Sequence, residues 1–309
     1  MSWLTNFVGP TLKRWISPRV IREHQWVTCP KCGATSFHRD LDANWRVCPH
    51  CDHHLTLTAE RRFALLLDAE SWARIEIPGA AADRLKFRDA RKYGERLKEA
   101  AQTAHEAESV AVAHGKLDGM GVVVAAFEVQ FLGGTFGAAA GEALVAAAEL
   151  AALQDAPLVL VTGSQGTRVQ DGAFALVQTP RVGLALRKLA ERALPVIGIL
   201  ADPAFDPVSD MLMQQSDIVL AEPGARLGPP AADPFAETDT PAFLAPRVGV
   251  VEARAAMALG RVDRVVDRRD LKAELAAILG VLRSPVPSAL VLPYPAKPMI
   301  VVSEASPDA

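Results

Sequence analysis

All four cysteines of this 309-residue chain lie between residues 29 and 51, in "CPKCGATSFHRDLDANWRVCPHC". Cys29, Cys32, Cys48 and Cys51 are spaced C-x2-C-x15-C-x2-C, two knuckles separated by enough chain for a short hairpin. Each Cys-x-x-Cys pair can put two thiolates on one side of a tight turn, with Pro30 and Pro49 shaping the turns and Gly33 relieving the first. Four thiolates complete a zinc tetrahedron and leave no open position for a catalytic water, so the metal expected here is one structural Zn2+. Two disulfides are the alternative, and nothing else in the chain looks secreted. His38, His50, His53 and His54 lie close enough that one could replace a cysteine as ligand, but four thiols already in register argue against it.

Three further stretches could do chemistry. "GGTFG" holds Gly133, Gly134 and Gly137; "GSQGTR" holds Gly163 and Gly166; "DPAFDPVSD" has prolines at 203 and 207 and no glycine. Each follows an apolar run and precedes a helical pattern, where free N–H groups and the helix dipole collect. Small residues there let a thioester or phosphate approach the backbone, and paired amides can stabilise an enolate. Equally, the glycines can serve only tight turns and close packing. No nucleophile constellation accompanies them: Ser164 lies outside G-x-S-x-G, and no cysteine remains outside the cluster. His105 in a helix and His114 at a strand start read as surface residues. G-x-G-x-x-G spacing and a Gly-Lys-Ser/Thr phosphate loop are both absent.

These turns need a scaffold. The composition, 50% hydrophobic and 22% charged, suits one large domain with a small appendage. A formal charge of −3 argues against general attraction to nucleic acid or membrane. Residues 1 to 57 carry seven Lys/Arg against four Asp/Glu, an excess that reads as a solvated face. Asn6, Gly9, Pro10, Lys13 and Arg14 interrupt any signal-peptide core, and no apolar run reaches membrane-span length. With every cysteine in a metal-like cluster, a cytoplasmic location is expected.

Residues 1–24 read as an amphipathic lead-in and 25–57 as the zinc ribbon. In "TAERRFALLLDAESW" Thr58 caps a helix that buries Leu65, Leu66 and Leu67, and 85–104 reads as a charged helix. "VAVAHGKLDGMGVVVAAFEV" predicts a hairpin with its second strand buried on both faces. Strand, turn and helix then recur in "FEVQFLGGTFGAAAGEALVAAAELAALQ", "APLVLVTGSQGTRVQDGAFALVQ" and "LPVIGILADPAFDPVSDMLMQQ", and "DIVLAEPGARLG" adds a strand. This is the rhythm of an α/β layered domain with parallel pairing. From Ser284 the proline-rich tail, 284–309, is expected to be extended or disordered.

Over residues 24 to 283 the chain resembles the carboxyltransferase beta subunits of bacterial acetyl-CoA carboxylases. The likeness rests on "VCPHCDHHLTLTAERR", "LKFRDARKYGERLKEA", "GMGVVVAAFEVQFLGGTFGAAAGE", "SQGTRVQD" and "ADPAFDPVS" followed by "DIVLAEPGARLG". It implies a crotonase-like (ClpP/crotonase) ββα core spanning 58–283 behind the ribbon. It further implies an alpha2beta2 heterotetramer with carboxyltransferase alpha subunits, the active site lying between unlike chains. There carboxybiotin on a biotin carboxyl carrier protein would meet acetyl-CoA and give malonyl-CoA for fatty acid biosynthesis. Backbone N–H groups of Gln165 and Gly166 would serve as oxyanion donors, with Gly133, Gly134 and Arg168 around the substrate. Biotin would enter only on the carrier, and neither membrane nor nucleic acid is an expected partner.

Three departures bear on that picture. The family's Ser-Gly-Gly-Ala-Arg is here Ser164-Gln165-Gly166-Thr167-Arg168, and a φ above zero at Gln165 would carry strain of roughly 1 kcal/mol or more. The family's Gly-Gly before Val-Ser is Asp206-Pro207, which removes an N–H donor and adds an anion. "GPPAADPFAETDTPAFLAPRV" replaces Gly-Phe-Ala-Gly-Pro-Arg-Val, with Pro246, Arg247 and Val248 as a displaced remnant. A working carboxyltransferase subunit is therefore weighed against a catalytically weakened paralogue with a structural or regulatory role.

Overall fold

The computed structural model describes residues 25–77, 83–205, 208–229 and 249–283. The lead-in at 1–24, the Asp206-Pro207 substitution, the stretch 230–248 with Pro246, Arg247 and Val248, and the tail from 284 lie outside the described residues.

The ribbon opens with strand β1 (Trp26–Thr28) paired antiparallel to β2 (Thr35–Phe37), followed by a short helix α1 (His38–Ala43). Gly33, at φ +72°, closes the first knuckle, and Asp52, at φ 53°, takes the matching left-handed position in the second. Its core is only Cys29, Leu41, Cys48 and Leu55 with a few partly buried neighbours, too little apolar area to fold without a metal.

Helix α2 (Ala59–Leu66) starts as its sequence directs: Thr58 Oγ1 accepts from the Arg61 N–H at 3.3 Å. Leu65, Leu66 and Leu67 are buried, with Phe63 beside them. After strand β3 (Ala73–Arg74) the charged stretch departs from expectation, because helix α3 covers only Tyr93–Ala104. Aspartates prevail upstream: Asp83 Oδ1 accepts from the Phe87 N–H at 2.8 Å, and Asp89 Oδ1 from the Arg91 N–H at 2.9 Å. Such side-chain bonds give the backbone a turn in place of a helix.

The predicted hairpin is present. Strands β4 (Val110–Leu117) and β5 (Met120–Phe127) pair antiparallel around Asp118-Gly119, both at positive φ as a two-residue hairpin turn requires. Asp68 accepts from both turn amides, at 3.1 and 2.9 Å. His114 sits in the middle of β4 rather than at its start, and His105 is the left-handed C-cap of α3.

The chain continues through helix α4 (Ala138–Gln154), strand β6 (Leu158–Ser164), and helices α5 (Ala173–Leu176) and α6 (Gln178–Glu191). Strand β7 (Val196–Phe205), helix α7 (Val208–Gln215), and strands β8 (Ile218–Ala221) and β9 (Arg226–Gly228) follow. Strand β10 (Val251–Glu252), helix α8 (Ala253–Ala258), strand β11 (Arg264–Val265) and helix α9 (Leu271–Leu282) complete the described fold. The main sheet runs β10-β9-β7-β6-β5-β4-β3, with β8 pairing β7 and β11. Pairs β5/β6, β6/β7 and β7/β8 are parallel, as the sequence rhythm predicts. Two boundaries differ: "DIVLAEPGARLG" forms two strands broken at Gly224 (φ +81°), and β7 runs on through Asp202 to Phe205, so "DPAFDPVSD" begins as strand.

Period-two alternation sends β5 side chains to both faces. Val123, Ala125 and Phe127 join the layer of α4, α6 and α7, while Val122, Val124 and Ala126 pack under α2 and α9. The alanines of α4 at 140, 143, 147, 148 and 151 are buried, which lets that helix lie close on sheet and α6. Among the described residues, no helix is long and apolar enough to cross a membrane.

Candidate functional site

The four cysteine Sγ atoms lie within 4.8 Å of one another, with Cys29 to Cys51 at 3.7 Å and Cys32 to Cys48 at 3.8 Å. A regular tetrahedron with Zn–S bonds of about 2.3 Å has edges of about 3.8 Å, so the donor set fits a zinc ion. Among the described residues the four nearby histidines are not part of this group.

His54 does something else. It is buried, 3.6 Å from Glu222 and 3.3 Å from Asp267. Glu222, 1% exposed, also accepts from Arg62 Nη1 at 2.8 Å and from Arg268 Nε at 2.9 Å. Arg268 then reaches back to the ribbon, donating to the carbonyls of Trp45 at 3.0 Å and Leu55 at 2.8 Å. Burial alone would push the Glu222 pKa up, yet Arg62 and Arg268 hold it well below the usual carboxylate range. This buried cluster fixes the ribbon to the end of β8. Sequence reasoning missed it, although a carboxylate directly abutting the apolar run "DIVLA" was a visible signal.

The turn after β5 and the turn after β6 pack backbone on backbone. Gly133 and Gly134 have φ of +69° and +66°, and a Cβ on Gly134 would lie 2.0 Å from the Gly163 carbonyl oxygen. Three bonds join the segments: Gln165 N–H to Gly133 O at 3.0 Å, Phe136 N–H to Gly166 O at 2.8 Å, and Arg168 N–H to Phe136 O at 2.8 Å. The N–H of Gln165 thus donates to the Gly133 carbonyl, and that of Gly166 donates to Ser164 Oγ at 3.1 Å. The anticipated strain is absent, since the positive φ falls on Gly166 (+110°) and Gln165 is outside that region. The Gln165 side chain covers Gly133 instead, its Cδ 3.1 Å from where a Gly133 Cβ would stand.

Arg168 is 1% exposed and supports the turn from beneath. It forms a fork with Glu108, Nη1 to Oε2 at 2.9 Å and Nη2 to Oε1 at 2.5 Å, and donates to Ser109 Oγ and to Thr135 O. Glu108, absent from the sequence reading, is thus the counter-ion that lets an arginine be buried beneath the turn. A second unforeseen carboxylate, Glu128, accepts from the Ala59 N–H at the start of α2 and from the Gln130 N–H, both at 2.9 Å. Burial raises its pKa. Beyond the turn Val169, Leu176 and Val177 are exposed.

Family models match in two places: an acetyl-CoA carboxylase zinc finger domain over residues 26–51 and a carboxyl transferase domain over 57–205. The acetyl-coenzyme A carboxylase carboxyl transferase subunit beta of Granulibacter bethesdensis is 41% identical over 282 residues, covering 91% of both chains. The protein of the same name from Gluconobacter oxydans is 38% identical, over 91% of this chain and 96% of its own. Among solved structures, a Pseudomonas malonate decarboxylase hetero-tetramer matches at TM-score 0.54 and 24% identity over 73% of this chain and 82% of that one. A transcarboxylase 12S structure matches at 0.54 and 22%, over 73% of this chain and 41% of that one. At such identities these structures speak for the fold alone, the crotonase-like core of carboxyl transferases.

Proposed function

The chain belongs to the family of acetyl-coenzyme A carboxylase carboxyl transferase beta subunits, and from that premise we propose that it helps transfer a carboxyl group from carboxybiotin to acetyl-CoA, giving malonyl-CoA. The carboxyl donor is carried on a biotin carboxyl carrier protein. The observation that supports a site in this chain is the double turn, in which Gly133-Gly134 and Ser164–Arg168 are bonded into one backbone surface on a buried Arg168–Glu108 pair. Such a surface suits a reaction that needs backbone N–H groups at a developing enolate more than side-chain acid or base. One oxyanion amide is worth about 3 to 4 kcal/mol in the transition state.

Gln165, Gly166, Gly133 and Gly134 form the reacting surface in this reading, the Gln165 and Gly166 N–H groups exchanging the Gly133 carbonyl and Ser164 Oγ for the substrate oxygen, and Arg168 positions it. With substrate bound, the Gln165 carboxamide swings off Gly133. The alpha subunit of an alpha2beta2 assembly closes the site from the side of the exposed Val169, Leu176 and Val177. The four-cysteine zinc site holds the ribbon together and takes no chemical step, and a reducing cytoplasm suits its thiolates.

A weakened paralogue is the second reading, favoured by one observation: Gln165 covers Gly133 while its N–H and that of Gly166 are both bonded internally. The two readings separate in Gln165→Gly, assayed for malonyl-CoA formation in complex with the cognate alpha subunit and carboxylated carrier. A functioning wild type with the variant changed by less than about tenfold supports the first. An inactive wild type in a well-formed complex, restored in part by glycine, supports the second.

A further inference from the structure

The Gln165 side chain occupies the reacting surface itself. Gly133 and Gln165 are both half-buried, so the place where they meet opens at the molecular surface, while Gly134 and Gly166 behind them are buried. A single carbon gauges the room there. A Cβ built on Gly133 would stand 3.1 Å from Gln165 Cδ and 3.2 Å from both Cγ and Nε2. Carbon contacts settle at about 3.5 to 4.0 Å, so with Gln165 in this place that face of Gly133 has no room for a further carbon. A glycine at 165 would leave the same face bare.

The backbone gives this side chain little travel. Ser164 before it ends β6 and pairs with Ala204 of β7, and the Gly166 carbonyl after it accepts from the Phe136 N–H at 2.8 Å. The carboxamide therefore leaves Gly133 by rotating about its own side-chain bonds, and it stays within a side chain's length of the turn. Any group bound over Gly133 shares its space with the displaced carboxamide. One methylene too many or too few in a shaped pocket changes kcat/KM by roughly 10- to 200-fold.

We propose that Gln165 sets the length of the acyl group accepted at this site, an assignment that rests on the carboxyl-transfer reading above. The acetyl methyl fits over Gly133 once the carboxamide has turned aside, and an acyl chain one carbon longer meets the displaced side chain. Bulk does the selecting here, because the thioester oxygen is met by backbone N–H groups and the side chain faces only the acyl carbons.

The test offers acetyl-CoA, propionyl-CoA and butyryl-CoA as acceptors of labelled carboxyl from the carboxylated carrier, in the complex with the cognate alpha subunit. The ratio of kcat/KM values within each variant is read, which cancels any change in the catalytic power of the turn. Wild type is expected to prefer acetyl-CoA over propionyl-CoA by at least about tenfold, and butyryl-CoA to be poorer still. Gln165→Gly and Gln165→Ala are expected to cut the preference by about tenfold. Gln165→Met, of similar length without the carboxamide, is expected to keep it. An active wild type without the preference, or a preference unchanged in Gln165→Gly, would overturn the proposal and leave the carboxyl-transfer reading standing. Loss of the preference in Gln165→Met would also overturn it, since hydrogen bonding and not bulk would then select. A wild type that carboxylates none of the three in a well-formed complex would overturn the proposal and the reading together.

Discussion

Replacing Glu222 by glutamine probes the junction between ribbon and core. The carboxylate is 1% exposed, and its partners Arg62 and Arg268 are 5% and 2% exposed, so the variant leaves two buried cations without an anion. Removing one partner of a buried ion pair typically destabilises by about 3 to 5 kcal/mol. Glutamine keeps the volume and can accept one hydrogen bond, so the lower end, about 3 kcal/mol, is expected. That is a large share of the roughly 5 to 15 kcal/mol that holds a folded protein together. Urea unfolding at pH 7 measures the loss, and chelator-driven zinc release should accelerate in parallel because Arg268 no longer holds Trp45 and Leu55. Arg269→Ala is the control: its pair with Asp267 is 40% exposed on the arginine side and should be worth less than about 1 kcal/mol. The pH dependence has a definite sign. Glu222 is held ionised below its ordinary range, so its contribution is complete above an unfolded pKa of about 4.3 and is lost as pH falls through the folded value. Wild type should therefore lose stability more steeply than Glu222→Gln between pH 5 and lower values. A variant no less stable than the Arg269→Ala control would refute the view that this cluster anchors the ribbon.

Two further predictions concern metal and turn. About one zinc per chain should copurify, and Cys48→Ser, at a fully buried ligand, should lower solubility before any chemistry; a metal-free wild type that stays folded would contradict this. Gly134→Ala should destabilise the chain and disturb the double turn, since its Cβ would lie 2.0 Å from the Gly163 oxygen at a φ of +66°. Gly121→Ala, with nothing within 4 Å, should be nearly neutral in the same melting experiment.

What could be read from the sequence was what depends on near neighbours. Cys29, Cys32, Cys48 and Cys51 announce their geometry by spacing, Thr58 by its place before a helical stripe, and Asp118-Gly119 by lying between two apolar runs. The parallel core followed from strands apolar on both faces. Hidden features arise from pairings across long separations. Arg62 finds Glu222 160 residues on, and Arg168 finds Glu108 60 residues back. The same holds for the oxyanion donors: that the Gln165 N–H is occupied depends on the Gly133 carbonyl, which only the packing of two loops brings near. The helix that began eight residues late was lost to Asp83 and Asp89, whose bonds to backbone N–H groups outweigh helical composition.

Transfer of isotopically labelled carboxyl from carboxylated carrier protein to acetyl-CoA, by the wild-type chain copurified with its alpha subunit, tests the central claim most directly. Labelled malonyl-CoA that disappears when either chain is omitted is the predicted result. An intact, zinc-loaded complex that transfers no label would contradict it.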